Sequence, residues 1–217
     1  MKIKGLVILL FITFSAWSQK DNKAENILNK LAEQNKANKT IKADFTVQYK
    51  NLQSDNTTTS KGKIIMKGDQ YKLDVRNSVV FYNGKTMWNY LKEANEVNIS
   101  EPVEDPAEQD ILNHPNQIFE IYKKDFKYKF MGQTSSDKTS LYEIDLYPKD
   151  LEEDYSRIKL KVNQVNYHIH SAKIFGKDGS RITFLVDNMK TNTPVPDSTF
   201  IFNKEDYPGV EVIDMRF

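Results

Sequence analysis

The hydrophobic positions of this chain change period near residue 41. Before it, Ala24, Ile27, Leu28 and Leu31 recur at helical spacing with Glu25, Lys30 and Glu33 opposite, which predicts an amphipathic helix over 21–35. After it, Phe45, Val47 and Tyr49 alternate with Asp44, Thr46 and Gln48, the two-residue period of a strand with one buried face. A polar turn over 54–60 leads to a strand at 62–66. Beyond a turn at Lys67-Gly68-Asp69, Tyr71, Leu73 and Val75 alternate with Lys72 and Asp74. The strand pattern returns at 126–130 and runs through 141–147, 157–162, 167–174 and 181–189, with Lys177-Asp178-Gly179 as a turn. It ends near 200–202 and 210–213.

One hairpin departs from clean alternation. Asn83-Gly84 sits between Val79-Val80-Phe81-Tyr82 and Met87-Trp88-Asn89-Tyr90, a strong hairpin signal. Neighbouring strand residues point to opposite faces, so Val80 opposes Phe81 and Met87 opposes Trp88. A hairpin apolar on both faces needs cover on both, from packed helices, a ligand, or both.

The stretch 101–117 interrupts the strands. Pro102, Pro106 and Pro115 with five acidic residues predict a loop, followed by short helical turns at 109–112 and 116–122. Ile111, Leu112, Ile118, Phe119, Ile121 and Tyr122 are the apolar side chains such a piece lowers onto a sheet as a movable lid. Ten or eleven strands are too many to lie flat. The expected fold is mainly β: a curved antiparallel half-barrel with an N-terminal helix and a helical lid over an apolar cavity. Period-two alternation assigns its concave lining to Phe45, Val47, Tyr49, Tyr71, Leu73, Val75, Val80, Trp88, Tyr142, Ile144 and Leu146.

The N-terminus modifies this picture. Lys2 and Lys4, the apolar run from Leu6 to Phe14, and Ala16-Trp17-Ser18 read as a secretory signal peptide over 1–18. Residues 19–217 then form one domain, and the loss of Lys2 and Lys4 takes the formal charge from +1 to −1. The chain has no cysteine. Export permits disulfides, so a core that stands without them is implied. A lipid anchor would require a cysteine at the cleavage point, where Gln19 stands, so a freely released exported protein is expected. No basic block with interleaved aromatics points to nucleic acid.

Catalytic chemistry is sparse. His168 and His170 share a strand face, but the sequence places no third metal ligand beside them. The acidic run Glu101, Glu104, Asp105, Glu108 and Asp110 lacks calcium-loop spacing and reads as a solvated loop, as does Glu152-Glu153-Asp154. No nucleophile elbow, phosphate loop or dinucleotide fingerprint is present, so neither an enzyme, a metal nor a cofactor is expected.

In order and motif, the chain resembles the periplasmic outer-membrane lipoprotein carrier proteins of the LolA type. The resemblance rests on the helix with Ile27-Leu28 and Leu31, the strand Ala43-Asp44-Phe45-Thr46, and Met66-Lys67-Gly68-Asp69-Gln70-Tyr71. The hairpin Tyr82-Asn83-Gly84-Lys85-Thr86-Met87-Trp88 is close to the family's Asp-Gly-Lys-Thr-Leu-Trp. Phe200-Ile201-Phe202 and Pro208-Gly209-Val210-Glu211-Val212-Ile213-Asp214 resemble its ending. The resemblance implies a monomeric periplasmic carrier that shields the acyl chains of lipoproteins. Its implied partners are acylated lipoproteins, an inner-membrane lipoprotein-releasing ABC transporter, and an outer-membrane receptor or the membrane itself. One departure stands out: many members carry an arginine near the Lys67-Gly68 turn that ties the lid, and here Lys67 is the nearest cation. A lysine lacks the planar fork of donors. An outer-membrane receptor and a ligand-free adaptor of the same fold remain the alternative functions.

Overall fold

The computed structural model describes residues 21–53, 56–101 and 126–216. Helix α1, Asn22–Ala37, starts where Asp21 caps it. One Asp21 carboxylate oxygen accepts from the Ala24 N–H at 3.1 Å, and the other accepts from the Phe130 N–H at 2.7 Å. The cap therefore also pins the helix to a distant strand. Ala24, Ile27, Leu28 and Leu31 are buried, as the helical spacing requires.

Twelve strands follow among the described residues: β1 Ile41–Asn51, β2 Thr57–Lys67, β3 Gln70–Val75, β4 Ser78–Tyr82, β5 Met87–Leu91, β6 Glu96–Ser100, β7 Phe126–Ser136, β8 Thr139–Pro148, β9 Tyr155–Asn163, β10 Ile169–Gly176, β11 Ser180–Thr191 and β12 Glu211–Asp214. They form one sheet in the order β12-β6-β5-β4-β3-β2-β1-β11-β10-β9-β8-β7. Two antiparallel meanders, β1–β6 and β7–β11, thus join through the β1–β11 pair. Only β12 runs parallel to its neighbour, β6. Register shifts at Asp44/Phe45 and at Phe130/Gly132 add bend and twist to an already curved sheet.

The expected half-barrel is present, with four differences. Residues 57–60 are strand rather than turn, because Tyr49 pairs with Thr58 and Val47 with Ser60. The strand containing the histidines starts at Ile169, one residue beyond His168. Phe200 closes a 3₁₀ turn, Asp197–Phe200, in place of a strand. The described residues hold twelve strands, where about ten or eleven are expected. The lid residues Ile111, Leu112, Ile118, Phe119 and Tyr122, and the leader at 1–18, lie outside the described residues.

The main core forms between α1 and one face of the sheet. At its centre the Phe45 ring stacks on Phe184 with centroids 4.7 Å apart. Gly62 lies opposite Phe45 in the β1–β2 register. A Cβ there would stand 2.4 Å from Phe45 Cζ, so the glycine is what lets the ring lie across the strand. Gly62→Ala is expected to destabilise the protein by about 1–3 kcal/mol through overpacking, measured as a lower urea midpoint. Unchanged stability would show that the ring yields freely.

Candidate functional site

Directly opposed strand residues share a face, so the register assigns every side chain of the candidate lining. Val75 opposes Gly62, Leu73 opposes both Ile64 and Val80, and Tyr71 opposes both Met66 and Tyr82. Phe45, Val47 and Tyr49 oppose Val186, Phe184 and Ile182. Tyr142, Ile144 and Leu146 oppose Val162, Leu160 and Ile158. All but Gly62 and Tyr49 belong to the apolar cluster on the α1 side, and Tyr49 shares their face through its pairing with Ile182. Ten of the eleven expected lining residues therefore lie on one face.

Trp88 is the exception to the expected lining. It opposes Phe81, not Val80, and so lies on the outer face. There Val79, Phe81 and Val97 form a second cluster with Trp88 and Tyr90, roofed by Phe202, Tyr207 and Val210. Phe202 packs edge-on to Phe81 at 5.8 Å and stacks on Tyr207 at 4.6 Å, while Tyr207 lies 4.4 Å from Tyr90. The hairpin's second greasy face is thus covered by the chain's own C-terminal segment.

Burial along β1 fades in one direction. Ile41, Ala43 and Phe45 are buried, whereas Val47 and Tyr49 are only half-buried. Val75 and Ile182, beside them in the sheet, are half-buried too. The α1-side face is closed where β1 begins and partly open toward the β1–β2 turn.

A groove of about 390 Å³ runs beside α1, lined by Asn22, Lys23, Asn26, Ile27, Lys30, Tyr142 and Tyr167. Lys30 Nζ donates to the Tyr167 hydroxyl at 3.2 Å, which holds the ammonium above the ordinary lysine range. Lys23 Nζ sits 4.0 Å from the Phe130 ring centroid. Tyr167 has φ +56°, a left-handed conformation that bulky residues rarely adopt. Sequence reasoning assigned Lys30 to solvent and missed this groove. No periodicity links a helix to a turn so far along the chain.

Lys67 is tied down. Its ammonium donates to Asp197 Oδ1 at 2.5 Å and to the Val195 carbonyl at 3.3 Å. Lys67 thus fastens the β2–β3 turn to the C-terminal segment. Burial lowers the pKa of His168 and of His170. Among the described residues no three metal-ligating side chains gather, and no helix is long and apolar enough to cross a membrane.

The structure is thus a curved, almost wholly antiparallel sheet with one helix over an apolar face. Residues 14–150 match the outer membrane lipoprotein carrier protein LolA family, and the chain belongs to it. No curated protein matches the chain. Crystal structures that share the fold include the following two. An uncharacterized conserved protein from Thermus thermophilus is 10% identical over 88% of this chain and 99% of its own, with TM-score 0.59. LprF from Mycobacterium bovis is 14% identical over 82% and 96%, with TM-score 0.51.

Tyr71, buried on the α1-side face 5.3 Å from Tyr82, offers a pH readout of this site. Burial raises its pKa from 10.0 to about 12. The folded protein thus holds the phenolic proton more tightly than the unfolded chain. The stability this confers is complete below pH 10.0 and is lost as pH rises toward 12. Tyr71→Phe is expected to flatten the alkaline fall of urea stability over that window relative to wild type. Parallel curves would place Tyr71 in solvent.

Proposed function

We propose that this protein is a periplasmic carrier that shields the acyl chains of lipoproteins against the α1-side face of its sheet. Its reading within the pathway is receipt from an inner-membrane lipoprotein-releasing ABC transporter and delivery to an outer-membrane receptor or the membrane. The observation that carries it is the fading burial along β1. An apolar face that stayed covered throughout would be only a core. This one emerges half-exposed at Val47, Tyr49, Val75 and Ile182. Membership of the carrier family supports the same reading.

Partial cover also fits the energetics of release. Sheltering a ~15-carbon chain completely would contribute about 12 kcal/mol at ~0.8 kcal/mol per CH₂. A carrier that held two or three chains so well would not let them go. A half-open face gives up part of that gain and keeps transfer reversible. The rim of the neighbouring groove, with Lys23, Lys30 and Tyr167, is polar enough to face the glyceryl end of such a ligand.

A photocrosslinker at Val47 is expected to capture an acylated peptide, while one at Gln48, exposed on the outer face, does not. Mass spectrometry of lipid extracted from the purified protein should show bound acyl chains. Equal capture at both positions, or an extract free of acyl lipid from protein purified without detergent, would favour the adaptor alternative.

A further inference from the structure

The outer face across β1 and β11 to β7 is strongly basic, although the chain as a whole carries a formal charge of only +1. The register brings like charges together across strands: Lys42 opposes Lys190, Lys50 opposes Arg181, and Lys159 opposes Lys173. Directly opposed like charges destabilise a sheet. A face needed only for solubility would intersperse the signs. Instead three such pairs are retained on adjoining strands, and Lys127 and Lys129 extend the positive surface to the β7 edge.

The carboxylates on this face, Asp145, Glu143, Asp44 and Asp187, neutralise part of the charge but are outnumbered by its cations. Asp145 is fully buried under Arg157, at 2.9 Å, and Lys159, at 3.6 Å. Glu143 is shared by Lys159 and Lys161. Asp44 has Lys63 opposite it in the β1–β2 register. Among the cations lies the half-buried Phe175 ring, with Arg157, Arg181 and Lys173 at 4.1, 4.9 and 5.6 Å from its centroid.

The geometry points to this face as a docking surface for an anionic lipid bilayer. The cations come from β1, β11, β10, β9 and β7, while β8 between the last two supplies only the carboxylates Glu143 and Asp145. A protein partner calls for a packed anchor cluster at the centre of the contact. Laterally mobile anionic headgroups need only a broad positive potential, which each surface lysine or arginine strengthens. Charge complementarity therefore selects the membrane. Docking would hold the protein at a membrane surface by electrostatics alone, weakly enough to leave again. This inference is independent of the carrier reading, because vesicles without lipoprotein test it.

The test is cosedimentation of the purified protein with vesicles of equal parts phosphatidylglycerol and phosphatidylcholine, against vesicles of phosphatidylcholine alone. Binding is expected only to the anionic vesicles and is expected to fall steeply with added salt. Lys129→Gln, Lys173→Gln and Lys190→Gln should each weaken it by about fivefold, while Lys36→Gln on α1 should leave it unchanged. Lys173→Gln should keep the wild-type thermal midpoint, since Lys173 is exposed and Lys159 opposite it is paired with Glu143 and Asp145. A loss of binding in that variant therefore cannot be attributed to unfolding. Binding that ignores lipid charge or salt would overturn the proposal, as would wild-type binding by all three lysine variants. Failure to bind vesicles while capturing an acidic protein through these same lysines would overturn it in favour of a protein partner.

Discussion

The β1–β11 ladder is the constraint on which the rest of this structure depends. It joins the first strand of the chain to one nearly 140 residues later, over the full length of β1. Without it the molecule is two separate meanders, each with an apolar face and nothing to curve around. With it, Phe45 and Phe184 stack at the junction and Gly62 leaves room for the ring. The α1-side face becomes continuous across both halves. The shared face, its burial gradient and the position of the groove follow from that one pairing.

The sheet divides its two faces between different tasks. The α1 side gathers the apolar residues of both meanders, while the outer side changes character along the strand order. Around β4 to β6 it is aromatic and roofed by Phe202, Tyr207 and Val210; across β1 and β11 to β7 it is cationic. The C-terminal segment is held in place from three directions. Lys67 grips Asp197 and the Val195 carbonyl, Phe202 enters the outer cluster, and β12 pairs with β6.

Much of this was legible where a strand had polar partners on its other face. Phe45 and Val47 declare their side because Asp44 and Thr46 are polar, and Leu73 does so because Lys72 and Asp74 are. Trp88 could not be placed by alternation, since both faces of its hairpin are apolar. Turn parity held the missing signal. Any loop of two or four residues around Asn83-Gly84 pairs Trp88 with an odd-numbered residue of β4, which puts it with Val79 and Phe81. The observed turn, Asn83–Thr86, has four residues, and the Asn83 side chain accepts from the Lys85 and Thr86 N–H groups. The roof over that face was hidden for another reason. Phe202 and Tyr207 lie far along the chain from the hairpin they cover, and no local period reports such a contact. The groove beside α1 escaped for the same cause, as Tyr167 meets Lys30 only through the fold.

The span of the β1–β11 ladder also governs the order in which the molecule can assemble. β1 is among the first strands to emerge from any directional passage of the chain, and β11 among the last. Contacts of such sequence separation carry a large loop-closure cost before they reward it, and folds rich in them form slowly. Until Ser180–Thr191 arrives, β1 is an unpaired edge on that side, where Lys42 and Lys50 near its two ends oppose premature joining to another chain. The charges that strain the finished sheet thereby act as guards while it is incomplete.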